Sequence, residues 1–250
     1  MRSKKPGQTG VVDELRRHTS LRLFILLSLF PGLALWSGPA AANPSGGTVV
    51  HGDVRIGDGA NGNLQITQNS INAIINWGDF SIDAGEMTRF VQSGGNAAVL
   101  NRVTGGNPSA IHGALSGNGN VFVVNPNGIL IGAAGTIDVH GLVLSTLDVA
   151  NGEFLAGGDM LMKGASQAGV TNLGRINAIG GDVFLIGRSV SNSGTVSAPS
   201  GTVGIAAGGE VLLTAEANAA GERVFVGQPV RASVERAFLT TARLKVPASN

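Results

Sequence analysis

Apolar positions in this chain come in pairs of short runs, a few residues each, separated by Gly, Asn or Ser. In Gly174-Arg175-Ile176-Asn177-Ala178-Ile179-Gly180-Gly181-Asp182-Val183-Phe184-Leu185 the runs carry period-2 alternation, the signature of strands with one buried face. The pattern returns in the same order as Gly194-Thr195-Val196-Ser197-Ala198-Pro199-Ser200-Gly201-Thr202-Val203-Gly204-Ile205, with glycine, β-branched, alanine, valine and aliphatic positions coinciding. Looser copies start at Gly113 and Gly135, continuing at Gly119 and Gly141, with a small drift that turns of differing length produce. A unit of about 20 residues cannot bury its own apolar face, so units must stack. Short strands stacked about 4.8 Å apart form a parallel β-helix. Residues 48 to about 215 would make roughly eight coils, on the order of 40 Å long. Ile176, Val183, Leu185, Val196, Val203 and Ile205 are expected to point inward. Leucine-rich repeats share the period but need a fixed leucine pattern ending in Asn or Cys, which is missing. A β-sandwich also has many short strands and Gly-rich turns and stays open as the second reading.

The first 42 residues follow a different pattern. Arg2, Lys4, Lys5, Arg16, Arg17 and Arg22 precede an apolar run from Leu23 to Phe30, broken by Pro31-Gly32 and resumed at Leu33 to Trp36. Ala40-Ala41-Ala42 then offers a small-x-small site before Asn43-Pro44. That order predicts a secretory signal cleaved between Ala42 and Asn43. A membrane span needs about 20 apolar residues, and this run is interrupted. The expected division is a signal at 1–42, a β-helix domain at 43–215, and a segment at 216–250 that starts a further region or ends a fragment.

Composition sharpens this picture at three points. Gly occurs 39 times and charged residues make 13%, which suits a tightly wound, turn-rich β structure. Of 17 basic and 16 acidic residues, six and two lie in the leader, leaving 11 basic against 14 acidic and a net charge of −3. No basic stripe remains for nucleic acid. Cys is absent although export permits disulfides, so packing and backbone pairing must hold the fold together.

Candidate chemistry is sparse. Asn125-Pro126-Asn127-Gly128 carries the residues of a type I turn, and Pro126 ends the strand Val121–Val124 because it cannot donate to a ladder. His51, His112 and His140 lie far apart in sequence, without metal-like spacing. Asp53 with Asp58 and Asp79 with Asp83 are neighbours on turns, which says nothing about carboxylate separation. The calcium-binding Gly-Gly-x-Gly-x-Asp pattern is not present. Trp77 and Phe80 are expected in the core or under a cap. No catalytic, cofactor or metal site is expected.

Several strings together resemble the N-terminal secretion domain of filamentous haemagglutinins and high-molecular-weight adhesins. These are Ile75-Asn76-Trp77-Gly78-Asp79-Phe80-Ser81-Ile82, Asn101-Arg102-Val103-Thr104, Gly119 to Ile129, Leu142 to Asp148, and Gly201 to Glu210. The resemblance covers about residues 43–215 in order. It implies an all-β, right-handed, single-stranded parallel β-helix and two-partner secretion. The Sec machinery would deliver the chain to the periplasm. Periplasmic transport-associated domains of an outer-membrane β-barrel would then bind it, and it would cross the pore unfolded. The family's Asn-Pro-Asn-Gly-Ile motif stands intact at Asn125, Pro126, Asn127, Gly128 and Ile129. A second motif, Asn-Pro-Asn-Leu in some members, appears as Asn101, Arg102, Val103 and Thr104. The product would be secreted or surface-bound on a Gram-negative-type bacterium, with adhesion to a host-cell surface. Family members usually carry a long further region, whereas here the domain is followed only by the short segment 216–250. The runner-up is a β-helix polysaccharide lyase or hydrolase. Catalytic grooves of that kind use clustered charge and usually aromatic faces, whereas this chain has no Tyr and two Trp.

Overall fold

A computed structural model describes residues 43–217, 223–229 and 240–241, with side chains described through residue 214. The expected signal, including Ala42, lies outside the described residues, as does most of 216–250.

Two strands, β1 (Thr48–His51) and β2 (Val54–Ile56), precede the coils. The first coil holds β3 (Asn63–Gln68) and β4 (Asn72–Trp77), and the second β5 (Met87–Val91) and β6 (Ala98–Val103). The third runs through β7 (Ser109–Ile111), β8 (Ala114–Gly117) and β9 (Asn120–Val124), the fourth through β10 (Ile129–Ile131), β11 (Thr136–Val139) and β12 (Gly141–Ser145). The chain then leaves the solenoid for helix α1 (Asn151–Ala156) and β13 (Met160–Lys163). It re-enters as β14 (Gly169–Asn172), β15 (Arg175–Ala178) and β16 (Val183–Gly187), followed by β17 (Ser189–Asn192), β18 (Thr195–Ser197) and β19 (Val203–Ala207). Last come β20 (Glu210–Ala217), β21 (Arg223–Pro229) and β22 (Thr240–Thr241).

Three sheets wall the solenoid. The longest is ordered β1-β4-β6-β9-β12-β16-β19-β22, the second β18-β15-β11-β8-β5-β3-β2, the third β17-β14-β10-β7. Six strands pair in parallel in each of the two long sheets. Antiparallel β1 and β2 close one end, and β22 lies antiparallel on β19 at the other. Such edges would otherwise present unpaired N–H and C=O groups. The parallel β-helix expected from the repeat is therefore present.

Among the described residues six coils of paired parallel strands stand where roughly eight coils were expected, for two reasons. Early coils are longer than the repeat that begins at Gly174: Asn72 pairs with Ala98 and Met87 with Ala114, offsets of 26 and 27. Then Leu142 pairs with Val183, an offset of 41, because the excursion through α1 and β13 takes a full coil's length of chain.

That excursion covers the outer face of the longest sheet. Its inward row, Ile75, Asn101, Val123, Leu144, Leu185 and Ile205, faces the solenoid core. The alternate row, Ile74, Leu100, Phe122, Val143 and Phe184, is buried outside it beneath Phe154, Met160, Met162, Val211 and Leu213. Phe122 and Phe154 meet edge to face at 5.3 Å. Parallel strands covered on both faces read as nearly continuous apolar runs, as Val121 to Val124 does. Gly157, at φ 62, ends α1 with its N–H directed to the Glu153 and Phe154 carbonyls. Beyond it β13 pairs with β20, which crosses residue 215 and returns as β21.

Ile176, Val183 and Leu185 are fully buried. Val196 and Ile205 pack against the same core but are half-buried, as is Val203, because they belong to the last coil. Trp77 and Phe80 are core residues in edge-to-face contact at 5.8 Å.

Candidate functional site

The two sequence motifs, well separated along the chain, are stacked by the parallel register. Asn101 lies beside Val123 and Arg102 beside Val124, so the chain leaves β6 and β9 at the same corner on adjacent coils. Thr104 continues the stack downward, its N–H and Oγ1 both donating to the Trp77 carbonyl at 2.8 and 3.0 Å. Gly105 lies so close to the Gly78 carbonyl that a Cβ would collide with it.

Asn125 begins the turn and is fully buried. Its backbone carbonyl accepts from Gly128 N at 3.1 Å, the closing bond of a β-turn. Its Oδ1 accepts from Asn127 N at 2.9 Å and from Asn127 Nδ2 at 3.1 Å. Its Nδ2 donates to the Asn107 carbonyl at 3.0 Å and to Ser109 Oγ at 2.9 Å, both on the coil below. All four hydrogen-bonding positions of the amide are thus used. Pro126 and Asn127 are exposed. Asn127 Nδ2 also reaches down to the Gly105 carbonyl at 2.8 Å, while Ser166, from the excursion, donates to the Pro126 carbonyl at 2.6 Å. Gly128 takes φ +115, a conformation open to glycine, and its carbonyl accepts from Ser109 N at 2.9 Å. Ile129 then enters the core.

The second motif divides between interior and surface. Asn101 is a fully buried amide in an otherwise apolar row. It accepts from Trp77 Nε1 at 2.9 Å and donates to the Phe122 carbonyl at 3.1 Å, which offsets its desolvation. Arg102 faces outward, with Nε donating to both Asp148 oxygens at 3.0 and 2.9 Å. Its Nη1 donates to Asn151 Oδ1 at 3.0 Å and its Nη2 to the Val149 carbonyl at 2.9 Å. It ties the excursion to β6. Val103 is buried in the core.

Sequence reasoning found both motifs but not the residues that join them. Asn107, Ser109, Gly105, Asp148 and Ser166 belong to other coils or to the excursion, and only an accurate register would have brought them in. Among the described residues no group of three or more His, Cys, Asp or Glu could hold a metal ion. Asp53 binds Asn69 and Asp58 caps Ala60 N, so these carboxylates serve local turns.

Comparison with known proteins bears on the family and the fold. The family model for the TPS secretion domain matches residues 40–246. A haem/hemopexin-binding protein of Haemophilus influenzae (strain Rd) is 36% identical over 125 residues, half of this chain and 14% of that protein. A second H. influenzae protein of that name is 37% identical over 125 residues, again half of this chain and 13% of its own length. Among solved structures, the HMW1 secretion domain of H. influenzae matches at a TM-score of 0.64 and 35% identity, over 68% of this chain and 46% of that one. A filamentous haemagglutinin secretion domain matches at 0.52 and 18% identity, over 74% and 69%, a likeness of fold.

Proposed function

The chain belongs to the TPS secretion domain family, and on that premise we propose that its two-motif corner is the element a partner outer-membrane transporter reads during export. The domain is the secretion module of an exported exoprotein of Gram-negative type. In our reading a Sec signal at 1–42 is removed between Ala42 and Asn43. Periplasmic domains of the β-barrel partner then engage Asn125 to Ile129 and Asn101 to Thr104. The mature product adheres to a host-cell surface and performs no catalysis. The chain spans about one seventh of the curated relatives it matches, so the haem/hemopexin binding in their name belongs to proteins far longer than this domain.

One observation carries the recognition role: Pro126 and Asn127 are exposed on a turn whose flanking residues Asn125, Gly128 and Ile129 are buried, with the Asn125 amide fully hydrogen-bonded. A turn needed for shape alone does not require a rigid base beneath an exposed tip. Pro126→Ala should cost about 0.4–1 kcal/mol of stability, through a freer unfolded chain. Asn127→Ala loses two side-chain bonds, one exposed and one part-buried, about 0.5–1.5 kcal/mol net. Each variant is expressed with its partner barrel, and extracellular yield is measured beside the melting temperature of the refolded domain. The expected result is a sharp fall in export with the fold retained and intact protein held in the periplasm. Normal export of both variants would leave the corner as a plain turn.

A further inference from the structure

The chain contains four Asn-Gly steps, at Asn61-Gly62, Asn118-Gly119, Asn127-Gly128 and Asn151-Gly152. Asparagine followed by glycine is prone to spontaneous deamidation, because a residue without Cβ lets its amide nitrogen approach the asparagine side-chain carbonyl. In the fold the four steps are not equivalent. Asn118 is clamped to the backbone of Gln92, accepting from its N–H at 2.7 Å and donating to its carbonyl at 2.9 Å. Asn127 is held by the Gly105 carbonyl and Asn125 Oδ1, and the attacking Gly128 N–H is itself bonded to the Asn125 carbonyl. Asn151 accepts from Arg102 and lies in the first turn of α1.

Asn61 differs in each respect. It is exposed, and its side chain has no hydrogen bond among the described residues. Its backbone is in the left-handed region at φ 54, ψ 34, between Gly59 and Gly62, which also have positive φ. Attack requires rotation of ψ away from 34°, opposed only by bonds at an exposed turn, from Asn63 Nδ2 to the Asn61 carbonyl at 3.0 Å and from Asn63 N–H to the Ala60 carbonyl.

We propose that folding confines spontaneous deamidation to Asn61, and that Asn127 in the secretion corner is open to it only while the chain is unfolded. In the step itself the glycine nitrogen loses its proton and bonds to the asparagine Cγ, the Cγ–Nδ2 bond breaks, and ammonia leaves. Water then opens the succinimide ring to aspartate or isoaspartate, with no change in oxidation state. At Asn127 the product would set a carboxylate against the Gly105 carbonyl and Asn125 Oδ1, replacing a donor by an acceptor among acceptors. A chain delayed before export would thus damage its own corner. That consequence rests on the recognition role proposed above, whereas the positions of modification do not.

The test incubates the purified exported protein at one pH, either folded in buffer or unfolded in guanidinium, and quantifies isoaspartate and aspartate at each step by peptide mass mapping. In the folded sample Asn61 should convert at least about tenfold faster than Asn118, Asn127 and Asn151, the protection expected from one or two side-chain hydrogen bonds. In guanidinium the four should convert at similar rates. Folded-state conversion of Asn127 as fast as that of Asn61 would overturn the proposal. Slow conversion of Asn127 in guanidinium would assign its protection to local sequence and overturn the second half. Extracellular yield of Asn127→Asp, which installs the deamidation product at that one position, then reads the recognition role on its own.

Discussion

At the scale of single residues, the corner sorts its asparagines by how much water each has given up. Asn125 is fully buried with both donors and both acceptor positions of its amide engaged, two of them across coils. Asn125→Ala would strand the Asn107 carbonyl and the buried Ser109 hydroxyl, and should cost about 2–4 kcal/mol. The exposed tip should cost less, about 0.4–1 kcal/mol for Pro126→Ala and about 0.5–1.5 kcal/mol for Asn127→Ala. Denaturant titration of the refolded variants checks this order. If Asn125→Ala and Asn127→Ala shift the midpoint equally, the buried network contributes little. The turn was legible in the sequence because Asn, Pro and Gly at fixed positions state their backbone requirements. Its cross-coil partners were not, since Asn107 and Ser109 resemble any other loop residues until the register is known.

Among elements, the repeat was legible for a definite reason. The offset between the strings at Gly174 and Gly194 is the register in which Ile176 pairs with Val196, Val183 with Val203 and Leu185 with Ile205. Where the copies were looser the register slips: Thr136 pairs with Ala114, but Gly141 pairs with Asn120, one position closer along the chain. The excursion and the second apolar core were hidden, because an element outside the solenoid breaks the period and its cover removes the alternation from the strands beneath. Position along the solenoid also sets energetic weight. Val183 is fully buried between coils, whereas Val203 in the last coil is half-buried. Val183→Asp should therefore cost about 3–5 kcal/mol, since an unpaired charge is placed in the core. Val203→Asp should cost markedly less, with its charge near solvent. Equal losses in melting temperature would mean that the last coil is as tightly covered as the fifth.

For the whole molecule, export and stability make opposite demands. The secretion reading requires a chain that stays threadable until it leaves the cell, and the architecture supplies a reason for delay. Each strand of the solenoid pairs with partners a full coil away along the chain, so no coil gains its hydrogen bonds before a neighbour is in place. The chain also has no Cys, so no cross-link can close a loop in an oxidising periplasm. Removal of the proposed signal would leave its own mark: the exported protein should begin at Asn43, with an intact mass lacking residues 1–42.

Threading itself can be tested by restoring the cross-link that the sequence omits. Gln65 and Arg89 are exposed and directly paired between β3 and β5. Neighbouring parallel strands stand about 4.8 Å apart, a Cα separation that a disulfide accommodates. The double variant Gln65→Cys, Arg89→Cys should leave the folded domain's stability unchanged or raised, since the bond restricts the unfolded chain. In cells with an oxidising periplasm the variant should accumulate there as a closed loop, while each single Cys variant is exported normally. Reductant in the growth medium should restore release. Efficient release of protein already cross-linked in the periplasm would show that the pore passes closed loops, and the absence of Cys would then have no bearing on the route.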